Sequence, residues 1–148
     1  VQLFNIVKTN PASEEYHDLA QKIFLIKDSS LATMSMINLV FKNYIKRAQP
    51  TIKFDVDTFV SLLGRFRKAG FYDDAEKILK VLIKHNTGEK LSEILAREQL
   101  LLARCYLLKK DKVHGDRLLE RLVETFPNTE SAKQAKSFVD VKNSGTYY

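Results

Sequence analysis

The residues best equipped for chemistry in this sequence are His17, His85, His114, Cys105 and the carboxylate pairs Glu14-Glu15 and Asp73-Asp74. A metal site built from one helix needs two or more ligands at i, i+3 or i+4. The three histidines lie far apart, with no paired carboxylates and no cysteine at ligand spacing. They are expected at surfaces or helix caps. Cys105 sits in the run Leu100-Leu101-Leu102-Ala103-Arg104-Cys105-Tyr106-Leu107-Leu108, with no histidine and amide or carboxylate arrangement to activate it. It is expected to be a small buried hydrophobe. Both carboxylate pairs stand where helices should begin, and there the helix dipole stabilises negative charge. No GxGxxG or GKS/T loop is present. The expectation is therefore a non-enzymatic protein with no metal and no cofactor.

Charge offers a second candidate. The chain has 24 basic and 18 acidic residues, a net charge of +6. Residues 41–90 hold 11 basic against 6 acidic side chains, whereas residues 91–148 hold 10 against 8. Lys42, Lys46, Arg47, Lys53, Arg65, Arg67 and Lys68 form a basic cluster with Phe66 among them. A basic groove with an aromatic platform is how single-stranded nucleic acid is held. The competing account makes Phe66 a core residue and the cations a solvated helix end, where positive charge is favourable.

These residues are positioned by helices. At 148 residues the chain is about one domain in length, with 45% apolar and 28% charged residues. With Gly 5 and Pro 3 it lacks the turn formers of a sandwich or barrel. One cysteine permits no intrachain disulfide, which points to an intracellular setting rather than a stapled secreted domain. The longest uncharged run, Ser29 to Phe41, has 13 residues. A membrane span needs about 20. The chain opens at Val1 with no leader pattern, as a processed form or a piece of a longer protein would.

Punctuation and 3.6-residue periodicity predict helices over about 12–27, 31–48, 55–69, 72–85, 90–109, 112–125 and 129–141. Asn10-Pro11 starts the first, Asp28-Ser29-Ser30 caps the second, and Gln49-Pro50 ends it. Asp55 or Asp57 opens the third and Gly70 closes it as a left-handed cap. The first ten residues are left as a helix end or a strand, and the tail from Lys142 as frayed.

The third to sixth helices fall into two similar units. Phe59, Leu62, Leu63, Phe66, Ala75, Leu79 and Leu82 match, 40 residues on, Gln99, Leu102, Ala103, Tyr106, Gly115, Leu119 and Leu122. Two antiparallel helices approach closely only where side chains are small, as at Ala103 and Gly115. This spacing resembles the tetratricopeptide repeat, with Pro127 closing the second unit. The run Phe126-Pro127-Asn128-Thr129-Glu130-Ser131-Ala132 is similar to the repeat junction of bacterial envelope-assembly and cell-division members. The clearest repeats are 56–88 and 96–127. The first unit departs from the pattern, with Leu63 where a small residue is usual and Thr87 where proline is usual. A second likeness runs through Asp57-Thr58-Phe59-Val60-Ser61-Leu62-Leu63-Gly64-Arg65-Phe66-Arg67-Lys68-Ala69-Gly70 and Asp73-Asp74-Ala75, which resembles one pentatricopeptide repeat. That family binds single-stranded RNA, but Val60 occupies the position where Asn, Ser or Thr reads a base.

The tetratricopeptide resemblance implies an all-α, antiparallel helix-pair solenoid of five to seven helices, a single domain over 1–148. It implies a protein-protein interaction scaffold or assembly factor that takes a peptide or helix of a partner in a concave groove. The groove would be lined by Val60, Arg67 and Lys68 from the third helix and by Arg97, Leu101, Arg104 and Leu108 from the fifth. Leucines beside cations suit an acidic or amphipathic segment. The pentatricopeptide resemblance implies RNA instead.

Overall fold

The structure is a computed structural model and describes residues 14–48, 55–85 and 88–143, with side chains at 15–46, 55–85 and 88–138. The described residues form seven helices and no strand. They are α1 (Glu14–Phe24), α2 (Leu31–Ala48), α3 (Val56–Ala69), α4 (Tyr72–Lys84), α5 (Glu89–Leu108), α6 (Lys112–Thr125) and α7 (Glu130–Asn143). The expectations for Val1 to Asn10, Pro11, Gln49-Pro50, Thr87 and the tail beyond Asn143 lie outside the described residues. The chain divides into two compact units, Val1–Gly70 and Phe71–Tyr148. The division falls inside the first expected repeat.

In the first unit local chemistry sets the helix ends. The Ser30 hydroxyl accepts the Thr33 amide at 3.3 Å, capping α2. The Asp28 carboxylate accepts the Ser30 amide at 3.2 Å, the Ser30 hydroxyl at 2.8 Å and the Thr33 hydroxyl at 2.5 Å. These hydrogen bonds hold the Asp28 carboxyl below its ordinary pKa. Asp55 caps α3 by accepting the Asp57 amide at 3.0 Å. Gly70 ends it at φ +89°, a left-handed conformation that costs glycine little.

The core of this unit is aromatic. Phe24, Phe41, Tyr44, Phe59 and Phe66 are fully buried, as are Met34 and Ile37. Their rings meet edge to face, with centroids 5.4 Å apart for Phe24 and Tyr44, 5.7 Å for Phe24 and Phe59, and 5.9 Å for Phe41 and Phe66. That geometry places positive ring edges against negative ring faces. α1 stops at Phe24, three residues before the expected Lys27, for an identifiable reason. Its last turn tightens, the Ile26 amide bonding the Ile23 carbonyl. The Arg65 guanidinium then takes the Phe24 carbonyl at 3.2 Å and the Asp28 carbonyl at 3.1 Å.

In the second unit α5 packs against α4, α6 and α7, and α6 against α7. Three residues, Lys109 to Asp111, join α5 to α6, so the two form an antiparallel hairpin. Lys110 supports the turn with φ 65°. Gly115 lies at a close contact between these helices. A Cβ there would fall 2.7 Å from Cγ and Cδ2 of Leu107 and 3.1 Å from the carbonyl oxygen of Ala103. The Gln99 amide donates to the Leu118 carbonyl at 2.9 Å, tying the same pair. Thr129 caps α7, its hydroxyl accepting the Ala132 amide at 3.1 Å and donating to the Phe126 carbonyl at 2.8 Å.

Replacing Gly115 with Leu should overpack this approach and cost about 1–3 kcal/mol, and Ala103→Leu should act likewise. Urea unfolding of the three proteins measures both effects. Unchanged midpoints would mean that α5 and α6 do not meet at this point.

Candidate functional site

α5 buries one broad face and leaves the opposite one open. Leu95, Ala96, Gln99, Leu100, Leu102, Ala103 and Tyr106 are buried. Beside the remaining side, between α5 and α7, lies a groove of about 480 Å³. Its α5 wall is Glu93, Ile94, Arg97, Leu100, Leu101 and Arg104, and its α7 wall is Glu130, Ser131 and Gln134. Leu100 and Ser131 are buried, whereas Arg97, Arg104, Glu93 and Glu130 are exposed. The groove thus has Leu100 and Ser131 at its base, with two guanidinium groups and two carboxylates around them. It holds no nucleophile paired with a base.

Three of the anticipated binding residues, Arg97, Leu101 and Arg104, line this groove together. Leu108 does not; it is the last residue of α5 and is 84% exposed. Val60, Arg67 and Lys68 belong to α3 in the first unit. There Val60 and Arg67 are half-buried and Lys68 is exposed. Sequence reasoning missed the whole α7 wall. A signal existed, because an offset of 34 residues, the tetratricopeptide period, carries Arg97 onto Ser131 and Leu100 onto Gln134.

The basic cluster around Phe66 takes a different form from a nucleic-acid platform. Phe66 is fully buried, its ring packed on Phe41. Arg65 is committed to the Phe24 and Asp28 carbonyls. Replacing Arg65 with Met should leave those acceptors without their donor and cost about 1–3 kcal/mol. Lys68→Ala should stay within about 0.5 kcal/mol, as exposed changes usually do. Thermal unfolding of both variants separates the structural arginine from the surface lysine.

The histidines find partners that spacing alone does not reveal. His17 Nδ1 lies 2.7 Å from the Tyr44 hydroxyl. His114 is half-buried in the first turn of α6; its Nε2 is 2.6 Å from Glu76 Oε1 and its ring stacks on Tyr106 at 3.8 Å. Asp111, which caps α6 through the His114 amide at 3.2 Å, brings its carboxylate 3.7 Å from His114 Nδ1. The Tyr106 hydroxyl donates to Asp73 at 2.5 Å, and the Tyr72 ring meets Tyr106 edge to face at 5.7 Å. This cluster ties α4, α5 and α6 together, and none of its residues lines the groove. Cys105 is half-buried and free, more accessible than anticipated. Among the described residues no three histidine, cysteine or acidic side chains converge as metal ligands. No helix of the described residues is long and apolar enough to cross a membrane.

Burial raises the pKa of the Tyr106 phenol above its ordinary value, and the Asp73 hydrogen bond raises it further. Burial raises Tyr44 as well. Both phenols must stay protonated in the fold, while the unfolded chain ionises near pH 10. Their contribution is fully present below that pH and is lost as pH rises beyond it. Tyr106→Phe and Tyr44→Phe should each flatten the fall in stability above about pH 10, measured as urea midpoint against pH.

No protein-family model, curated protein or solved structure matches this chain.

Proposed function

We propose that this protein is a non-enzymatic interaction scaffold of tetratricopeptide type, whose helix pairs stack as a solenoid and whose α5–α7 groove docks a segment of a partner protein. One observation carries the proposal. Arg97, Leu101 and Arg104 line one groove together with Leu100 and Ile94. Such a groove binds by burying apolar surface and pairing rim charges. The close approach at Gly115 and the burial of both sets of repeat positions support the repeat assignment. Glu93 and Glu130 sit beside the arginines. With them the groove is of mixed charge, unlike the uniformly basic channel that a phosphate backbone needs, and it suits an amphipathic segment whose acidic groups are confined to Arg97 and Arg104. The RNA alternative has less support, since Phe66 and Arg65 are spent inside the first unit.

Reversing both charges, as Arg97→Glu with Arg104→Glu, tests this function. Both side chains are exposed, so helicity and melting should hold, each change costing within about 0.5 kcal/mol. Partner capture by the full chain should survive nuclease and fall about tenfold or more on reversal, because like charges would then face each other. Reversal at Arg67 and Lys68 should matter less. Capture that is lost to nuclease, falls steeply with salt and depends on Arg67 and Lys68 would favour RNA.

A further inference from the structure

Five residues of α5 alternate at spacings of three and four: Ile94, Arg97, Leu101, Arg104 and Leu108. Residues seven apart return to nearly the same face, so this is one stripe along the helix. Apolar residues hold one register, Ile94, Leu101 and Leu108, and arginines hold the other, Arg97 and Arg104. The stripe is open to solvent. Ile94 is 37% and Leu108 84% exposed, both arginines are exposed, and Leu101 is half-buried. Arg97 and Arg104 form no ion pair or hydrogen bond with another described residue. The groove takes in Ile94, Arg97, Leu101 and Arg104 but not Leu108. The heptad spacing accounts for all five.

A heptad stripe is what a helix presents to another helix. From Ile94 to Leu108 it runs about 21 Å, and its two arginines stand about 10.5 Å apart, at 1.5 Å per residue. A second copy laid along the same stripe would oppose arginine to arginine or to leucine. Like-charge repulsion and the burial of unpaired charge disfavour both. Carboxylates at the same seven-residue interval would match both arginines at once, with apolar side chains between them.

We propose that the segment docked on α5 is an amphipathic α-helix of a partner protein whose contact stripe repeats apolar and acidic residues every seven positions. Its carboxylates meet Arg97 and Arg104. Its apolar side chains pack on Ile94, Leu101 and Leu108. This rests on the protein-docking function proposed above and specifies the partner's conformation and register.

Two synthetic peptides of three heptads and identical composition test it against the full chain by fluorescence polarisation. One has Leu at every a position and Glu at every d position. The other has the same residues with the glutamates moved to the opposite face. The matched peptide should bind about tenfold or more tightly than its mismatched twin. Arg97→Glu with Arg104→Glu should abolish that preference, and a matched peptide with Lys for Glu should then bind the reversed chain better than the original one. Equal binding of the two peptides, no binding of either, or indifference of the matched peptide to the reversal would overturn the proposal. A chain that loses its captured partner on reversal yet fails to discriminate the peptides would uphold the groove and overturn the helical register. A chain that discriminates the peptides while its captured partner ignores the reversal would overturn both, because the partner then docks elsewhere.

Discussion

Gly115 allows α6 to come within van der Waals contact of the Ala103 carbonyl and the Leu107 side chain, and the second unit is arranged around that approach. A Cβ there would meet the Leu107 side chain at 2.7 Å and the Ala103 carbonyl oxygen at 3.1 Å. With α6 held close and α4 and α7 also packed on α5, a broad face of α5 is spent on burial. The face left open carries Arg97, Leu101 and Arg104. The groove is thus a consequence of packing. Its position follows from where the small residues allow close contact.

The two units solve the problem of buried polar groups in different ways. The first surrounds an aromatic core and uses Arg65 to satisfy the carbonyl at the end of α1 and that of Asp28. The second carries a connected polar cluster between α4, α5 and α6, in which Tyr106 donates to Asp73 and His114 pairs with Glu76. Buried polar groups cost little when each finds a partner and much when one is left without. Both arrangements divert chemically capable residues into structure. Arg65, His114 and Tyr106 would draw attention as candidate site residues in isolation, and each is engaged in holding helices together. Arg97 and Arg104 have no such engagement, which is why the functional proposal settles on them.

Helix boundaries were largely legible in the sequence because caps are local. Ser30, Asp55 and Gly70 act as their types and neighbours imply, and α2 and α6 begin and end where expected. Buried faces were legible for the same reason: a 3.6-residue period marks which side of a helix leaves water. Phe59, Leu62, Leu63 and Phe66 in one unit, and Leu102, Ala103, Tyr106 and Gly115 in the other, are all buried. What a period cannot say is what lies opposite. Arg65 reaches a carbonyl 41 residues away and His114 a carboxylate 38 residues away, with no local pattern to announce either. The α7 wall of the groove is of this kind. Glu130, Ser131 and Gln134 face α5 only because α6 returns the chain after a tight turn. The sequence by itself determined the helices, their caps and their apolar faces, since these depend on neighbours within a few residues. Tertiary structure alone decided which faces meet, and so which arginines became structure and which were left at the groove.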